Sequence, residues 1–328
     1  NDNCTSGTPG PSLVKPNAIG VVPPGPNDDL EESCALNLIF VLDASSSITS
    51  ALATQVRQAS IAFLNALAGT GARVSIVEFS TNASRPVPYT TVTADTIRDV
   101  FRPYLYDQYR PNGFTNWQAA LQEVDNANAH SGTVADLVVF MTDGDPTAAT
   151  NFQVSSPATN GGFVRALEPA WKAANLVKEQ RSPLTGQRTH IFALGVGEFT
   201  ADPAAASRLT AISGPDEYVI GGDTSFEEAD YTIVDDFASL AEALRDIVRN
   251  LCEGSVAVTK EVRRDGTPEP GFGWEFSAGI EMSAGGYEWE EPPEPPTGVT
   301  RASTNENGVA TFRWSQTNAA ATATVTLT

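Results

Sequence analysis

Histidine and cysteine are scarce in this 328-residue chain, with two of the first and three of the second. The thiols Cys4, Cys34 and Cys252 form no C-x-x-C pair, and His130 and His190 are the only imidazoles. A structural zinc site draws on those residue types in paired spacing, so it is disfavoured. A Ser-His-Asp hydrolase would need one of the two histidines, and neither stands in a motif for it. Basic residues are also few, 20 against 40 acidic, for a net charge of −20. That surface repels nucleic acid and anionic membranes and favours cations and cationic partners. No apolar run approaches the roughly 18 residues that cross a bilayer. No charged-then-apolar leader opens the chain. It begins at Asn1 rather than at a methionine, which reads as a processed or excised segment.

What is present falls into three textures. Residues 1–33 are rich in proline, glycine and asparagine and read as an arm or linker, although 18–22 has the composition to add a strand. From Cys34 onward, apolar strands alternate with helices. Residues 36–42, 72–79, 136–141 and 191–196 read as strands, with a short one at 218–220. Helices are expected at Ser50–Leu67, 116–129, 163–181, 203–212 and 235–252. Pro169 predicts a break or a late start in the third of these, and Asp235 and Asp236 are placed to cap the last. The fold class is therefore α/β, a doubly wound and mostly parallel sheet with helices on both faces, over 34–253. After Gly254 the alternation of Val256, Val258 and Val262, then of Phe272, Trp274 and Phe276, predicts a small antiparallel β domain over 254–328. Residues 288–296 read as an exposed acidic loop, and no internal repeat links the two domains. The glycines of Gly195-Val196-Gly197 end a strand and do not cradle phosphate.

Chemistry gathers where the apolar strands end, because open α/β sheets bind ligands beyond their carboxyl ends. One strand delivers Asp43-Ala44-Ser45-Ser46-Ser47, another Thr142-Asp143-Gly144-Asp145. Two carboxylates and several hydroxyls there suit a hard cation, which wants compact oxygen ligands. The run from Phe40 to Ser47 resembles the Asp-x-Ser-x-Ser motif of von Willebrand factor A and integrin I domains. Gly113-Phe114-Thr115-Asn116 is similar to that family's second metal loop, and Phe140-Met141-Thr142-Asp143-Gly144 to its third. The resemblance covers about 35–252 and implies a metal-ion-dependent adhesion site. Ser45, Ser47 and Thr115 would ligate through hydroxyls, and Asp43 and Asp143 directly or through water. The implied ion is Mg²⁺, with Mn²⁺ or Ca²⁺ as alternatives. Ser46 would point away. Asp145 lies outside the pattern and reads as a solvated acid or helix cap. The bland alternatives are a helix cap run at Ser45–Ser47, or a metal that only steadies loops.

In the implied fold the ends bearing Cys34 and Cys252 lie close, so the resemblance implies a disulfide between them and an oxidising setting, with Cys4 outside it. The β domain is similar to Cna-B or prealbumin-like domains of bacterial surface proteins. By parity Lys260 faces the side of Val256, Val258 and Val262 and needs a partner. In many such domains a first-strand lysine forms an isopeptide bond with an asparagine. Here the alternative is an unmodified lysine that snorkels to water, which is the outcome expected. The Asn-x-Ser/Thr matches at Asn3 and Asn82 are chance-level patterns.

These readings converge on an extracellular adhesion module of a bacterial surface or pilus, not an enzyme. Its partner would be a protein or glycan of host matrix or another cell, offering an acidic group to the metal. Nucleic acid and a membrane span are not expected. The competing function is a structural surface or filament component. Metal-assisted hydrolysis would have only Asp145 as a candidate base.

Overall fold

A computed structural model describes residues 25–30, 36–68, 71–150, 152–153, 162–182, 186–197, 205–219, 226–236, 239–240, 243–244, 255–264, 267–283, 287–289, 300–304, 309–316 and 323–328. The α/β part begins with β1 (Asn37–Asp43), α1 (Ser50–Leu67), β2 (Arg73–Phe79) and β3 (Ala83–Thr91). A short helix α2 (Ala94–Thr96) runs into two π-helical turns, Ile97–Phe101 and Tyr104–Gln108. Then come α3 (Trp117–Ser131), β4 (Leu137–Thr142), the small pair β5 (Ala148–Ala149) and β6 (Phe152–Gln153), and α4 (Gly162–Glu179). The part closes with β7 (His190–Val196), α5 (Ala205–Ile212) and β8 (Tyr231–Val234). The six-stranded sheet has the order β3-β2-β1-β4-β7-β8. All its neighbouring pairs are parallel except β2 with β3.

Strand periodicity explains why helices cover both faces. In β1, Leu38, Phe40 and Leu42 enter one core while Ile39 and Val41 enter the other. The strands β4 and β7 divide the same way, with Val139 and Phe192 on the first side and Val138 and Ile191 on the second. The first core receives α1, whose Val56, Phe63 and Leu67 recur at helical spacing. Phe63 sets its ring 5.1 Å from that of Phe40. The second core receives α3, α4 and α5 through residues such as Trp117, Leu121, Trp171 and Leu209. This is the doubly wound sheet expected from the apolar runs.

Four expectations need correction or extension. The helix α4 continues through Pro169 without a break. Ala166, Ala170, Ala174 and Val177 are fully buried along it, so packing outweighs the hydrogen bond that proline forfeits. Of the strand expected at 218–220, residues 218 and 219 are described and are not strand; a single bridge joins Glu217 to Tyr231 just before them, and the strand beside β7 is β8. The segments β3 and 94–108 carry structure where none was expected. Of the 235–252 helix, Ser239, Leu240, Ala243 and Leu244 are described and helical, with Leu240 and Leu244 in the first core. Asp236 Oδ1 caps it by accepting from the Ser239 amide at 2.8 Å.

The chain then forms β9 (Ser255–Thr259), β10 (Glu261–Arg264), β11 (Thr267–Pro270), β12 (Glu275–Met282), β13 (Tyr287–Trp289), β14 (Thr300–Ser303), β15 (Val309–Gln316) and β16 (Ala323–Leu327). All of their pairings are antiparallel, in sheets β14-β12-β16 and β13-β15-β9 and a hairpin β10-β11. Ala278, Ile280, Trp289, Phe312 and Trp314 are its buried core. Of the acidic loop expected at 288–296, residues 288 and 289 are described and belong to β13, with Trp289 buried, and 290–296 lie outside the described residues. Phe272 and Trp274 do not alternate into this core. They precede β12 in a turn, 70% and 49% exposed. The Lys260 ammonium sits over the Trp274 ring, 4.3 Å from its centroid. No helix among the described residues is long and apolar enough to cross a membrane. Cys4, Cys34 and Cys252, Asn3, and the 18–22 segment lie outside the described residues.

Candidate metal centre

The centre is built on the carboxyl ends of β1 and β4, which are adjacent and parallel. Asp43, the last residue of β1, is wholly buried, and its Oδ1 accepts from the Ser45 amide at 2.8 Å. Its Oδ2 accepts from Thr142 Oγ1 at 2.7 Å. Ser45 Oγ lies 2.8 Å from Ser47 Oγ, and Ser47 Oγ donates to Asp143 Oδ1 at 2.8 Å. Ser47 has one proton and gives it to Asp143, so Ser45 is the donor to Ser47. Four of the five expected ligands are thus joined by short contacts through loop 43–47 and the loop after β4.

Thr115 is tied through its backbone to the segment that follows the β4 loop. Its amide donates to Thr147 Oγ1 at 2.9 Å, and its carbonyl accepts from the amides of Thr147 and Ala148. Two residues earlier, the Gly113 amide donates to Ser46 Oγ at 2.8 Å and its carbonyl accepts from the Ser46 amide at 3.0 Å. Ser46 is therefore turned to the neighbouring loop, which it latches. Gly113 has φ +103°, and a Cβ there would lie 2.6 Å from Thr81 Oγ1. Asn116 ends this loop by capping α3, its Oδ1 accepting from the Ala119 amide at 3.0 Å.

Sequence reasoning missed three supporting residues. Thr142 holds Asp43, with Trp117 Nε1 3.3 Å from its own hydroxyl. Tyr109, fully buried, donates its hydroxyl to the Asp43 carbonyl at 2.5 Å. Arg57 of α1 fixes the segment before Tyr109 by donating to the carbonyls of Leu105 and Tyr109 at 2.8 and 3.0 Å. Nothing in a Thr or Tyr codon position flags such a role, because the partner is distant in sequence. Asp145 is paired with Arg208 of α5, and both side chains are largely buried. It is neither a solvated loop acid nor a helix cap.

Burial pushes the Asp43 carboxyl up to about 6, against the lowering effect of its hydrogen bonds from Thr142 and Ser45. An anion desolvated so strongly is one that a cation would relieve. The donors are oxygens throughout. Among the described residues no group of three or more His, Cys, Asp or Glu gathers to hold a metal, so this centre rests on hydroxyls with two carboxylates. The 2.8 Å separations from Ser45 to Ser47 to Asp143 match the edge, about 3 Å, of an octahedron with bonds of about 2.1 Å. The residues fit a small divalent ion.

An open, mostly parallel sheet with hydroxyl and carboxylate loops at its carboxyl edge defines a class of metal-binding α/β module. The chain belongs to the von Willebrand factor type A domain family, whose profile matches residues 37–247. No curated protein sequence matches it. Among solved structures it is similar to the pilus adhesin SpaC from Lactobacillus rhamnosus GG in its open conformation, at 14% identity and TM-score 0.48, over 88% of this chain and 38% of that one. It is also similar to the PilB minor pilin from Streptococcus sanguinis, at 15% and 0.45, over 66% and 61%. A third likeness is to proximal thread matrix protein 1 from the mussel byssus, at 18% and 0.45, over 72% and 50%. The chain thus spans less than two thirds of each. The family assignment rests on the profile match and the geometry, not on these likenesses.

Proposed function

We propose that the protein is an extracellular adhesion module that engages its partner through a divalent cation, Mg²⁺ in the first instance, held by Asp43, Ser45, Ser47, Thr115 and Asp143. The observation that carries this is the run of contacts from Ser45 through Ser47 to Asp143 beside the buried Asp43. A bound cation would supply an electrophilic centre, since two carboxylates only balance its charge and the remaining ligands are neutral. Ser47 is exposed, so the centre is open to an acidic group from a partner. That partner is a protein or glycan of host matrix or another cell surface.

The competing reading, a metal that only steadies loops, is weakened by how the loops are held. Direct hydrogen bonds already tie Ser46 to Gly113 and Thr115 to Thr147. The wider reading places the module at 34–253, preceded by an arm at 1–33 and followed at 254–328 by a Cna-B-like domain on a bacterial surface. It keeps the Cys34 to Cys252 disulfide and leaves Lys260 unmodified, in keeping with its contact to Trp274.

Calorimetric titration of Mg²⁺ into wild type, Asp43→Ala and Thr115→Ala tests the centre. Asp43→Ala should lose most of the metal affinity. Thr115→Ala removes one neutral oxygen and should weaken partner capture more than metal binding. Equal affinity in wild type and Asp43→Ala would remove the site. Capture of host matrix proteins and glycans that persists in EDTA would move the reading to the structural one.

A further inference from the structure

We propose that the polar cleft between α3 and the start of β3 is a saccharide subsite, and that the ligand spanning it and the metal centre is a glycan bearing a carboxylate. This rests on the metal-dependent reading above. The cleft has a volume of about 730 Å³, within the range of small-ligand sites. Its rim is shared with the metal loops. Asn116, which lines it, directly follows Thr115. Thr81, on the opposite wall, accepts from the Phe114 amide at 3.0 Å. Ala149 and Thr150, at its end, follow Ala148, whose amide donates to the Thr115 carbonyl.

The lining chemistry selects the ligand. Asn82, Gln122 and Asn126 present primary amides, and Thr81 and Thr150 hydroxyls, groups that each donate and accept. Vicinal sugar hydroxyls have the same dual character. The internal bonds among them are long, 3.4 Å from Thr150 to Gln122 and 3.4 Å from Asn126 to Glu123, so an incoming hydroxyl exchanges for them at little cost. Among the described lining residues the one charged side chain is the acid Glu123 and there is no lysine or arginine, which argues against phosphate or sulfate in the cleft and leaves the ligand's carboxylate to the metal. Its apolar surface is limited to the methyls of Ala83, Ala119 and Ala149, too little to seat the aromatic or aliphatic anchors of a protein partner. Addition of a peptide strand at the adjacent sheet edge is blunted by Pro86 and Pro88 in β3. A carboxylate on the same ligand would occupy the metal while ring hydroxyls fill the cleft.

The test uses the full chain made in a host that does not glycosylate Asn82. The probes are oligogalacturonate, hyaluronan oligosaccharide and sialyllactose, with methyl-esterified oligogalacturonate and lactose as neutral counterparts, each in Mg²⁺ and in EDTA. Two variants alter the cleft without touching a metal ligand, the double change Asn82→Ala with Gln122→Ala, and the filling change Ala119→Phe. At least one acidic probe should bind in Mg²⁺, and bind at least tenfold more weakly in EDTA, as its neutral counterpart, and to both variants. Metal affinity of the variants should equal wild type. Failure of all acidic probes, or wild-type binding by both variants, overturns the proposal while leaving metal affinity to judge the centre separately. Binding that survives EDTA yet is lost in both variants overturns the joined site and, with it, the metal-dependent reading.

Discussion

Asp43 ends β1 with no solvent exposure, and burial holds its carboxyl at about 6 although Thr142 and Ser45 donate to it. A cation needs the carboxylate, so protons compete with metal below that pH. Mg²⁺ affinity should be steady above about pH 7 and fall about tenfold per pH unit below 6, one proton being displaced. Stability of the metal-free protein should run the other way. The native value lies above the unfolded 3.8, so the native state binds the proton more tightly. This contribution is fully present below about pH 4 and is lost as pH rises through about 6. Asp43→Asn keeps the shape and removes the titration. In EDTA its melting temperature should exceed that of wild type at pH 7 and approach it at pH 4. Parallel pH profiles for the two proteins would show that Asp43 is not the group responsible.

At the scale of elements, the loops depend on a backbone that only glycine supplies. Gly113 combines φ +103° with a neighbouring hydroxyl 2.6 Å from where a Cβ would stand. Gly113→Ala should cost roughly 1–3 kcal/mol, the range for a non-glycine residue held at positive φ. It should also lower metal affinity, because the Gly113 amide and carbonyl both bind Ser46. Melting curves and metal titration check both effects, and an unchanged metal affinity would show that the latch does not shape the centre. This loop was legible in sequence only through its motif. The strands β1, β4 and β7 were legible because they are buried on both faces and therefore read as unbroken apolar runs. The edge strand β3 hid behind Pro86, Pro88 and a pattern in which Val87 alone is buried, which reads as loop. The π-helical turns hid because their spacing matches neither helix nor strand, although Phe101, Tyr104 and Leu105 are buried there. At the proposed centre, the motif pointed to Asp43, Ser45, Ser47 and Asp143, which the fold brings into a run of short contacts, and to Thr115, which is tied to Thr147. Tyr109, Thr142 and the Asp145 to Arg208 pair were not legible, because each acts through a partner far away in the chain.

Over the whole molecule, the proline-rich start is more than a linker where it is described. Asn27 sets its side chain against β7 beside the start of β8, its Oδ1 accepting from the Ile191 amide and its Nδ2 donating to the Ile191 carbonyl, both at 3.0 Å. It stands in for a strand neighbour there. Its Nδ2 also donates to Asp230 Oδ1 at 2.6 Å. Lys178 of α4, only 2% exposed, donates to the carbonyls of Gly25 and Ser213 at 2.8 Å each. His190 lies between the carbonyls of Asp28 and Ala229, at 2.9 and 3.0 Å. A neutral ring donates to only one of them, but burial outweighs the second acceptor and keeps its pKa below the ordinary value. Burial likewise lowers Lys178 to about 8, against the pull of Asp230. The neutral amine still has two protons, one for each carbonyl, so deprotonation does not undo the strap. Because the unfolded lysine holds its proton to 10.5, the cost of burying the charge fades between about pH 8 and 10.5, and stability from this group rises over that window. Lys178→Met removes both donors and strands two carbonyls, a loss of roughly 1–3 kcal/mol for each buried group left unpaired. Removal of residues 1–30 should destabilise the module by a comparable amount, with Mg²⁺ affinity unchanged, since Asp43 and Asp143 stand at the opposite ends of the strands. Urea titrations of wild type, Lys178→Met and the truncated chain from pH 7.5 to 10 measure all three effects. Wild type should gain stability relative to Lys178→Met as pH rises, because only wild type has this charge to shed. A truncated chain as stable as wild type would reduce the arm to a passive leader.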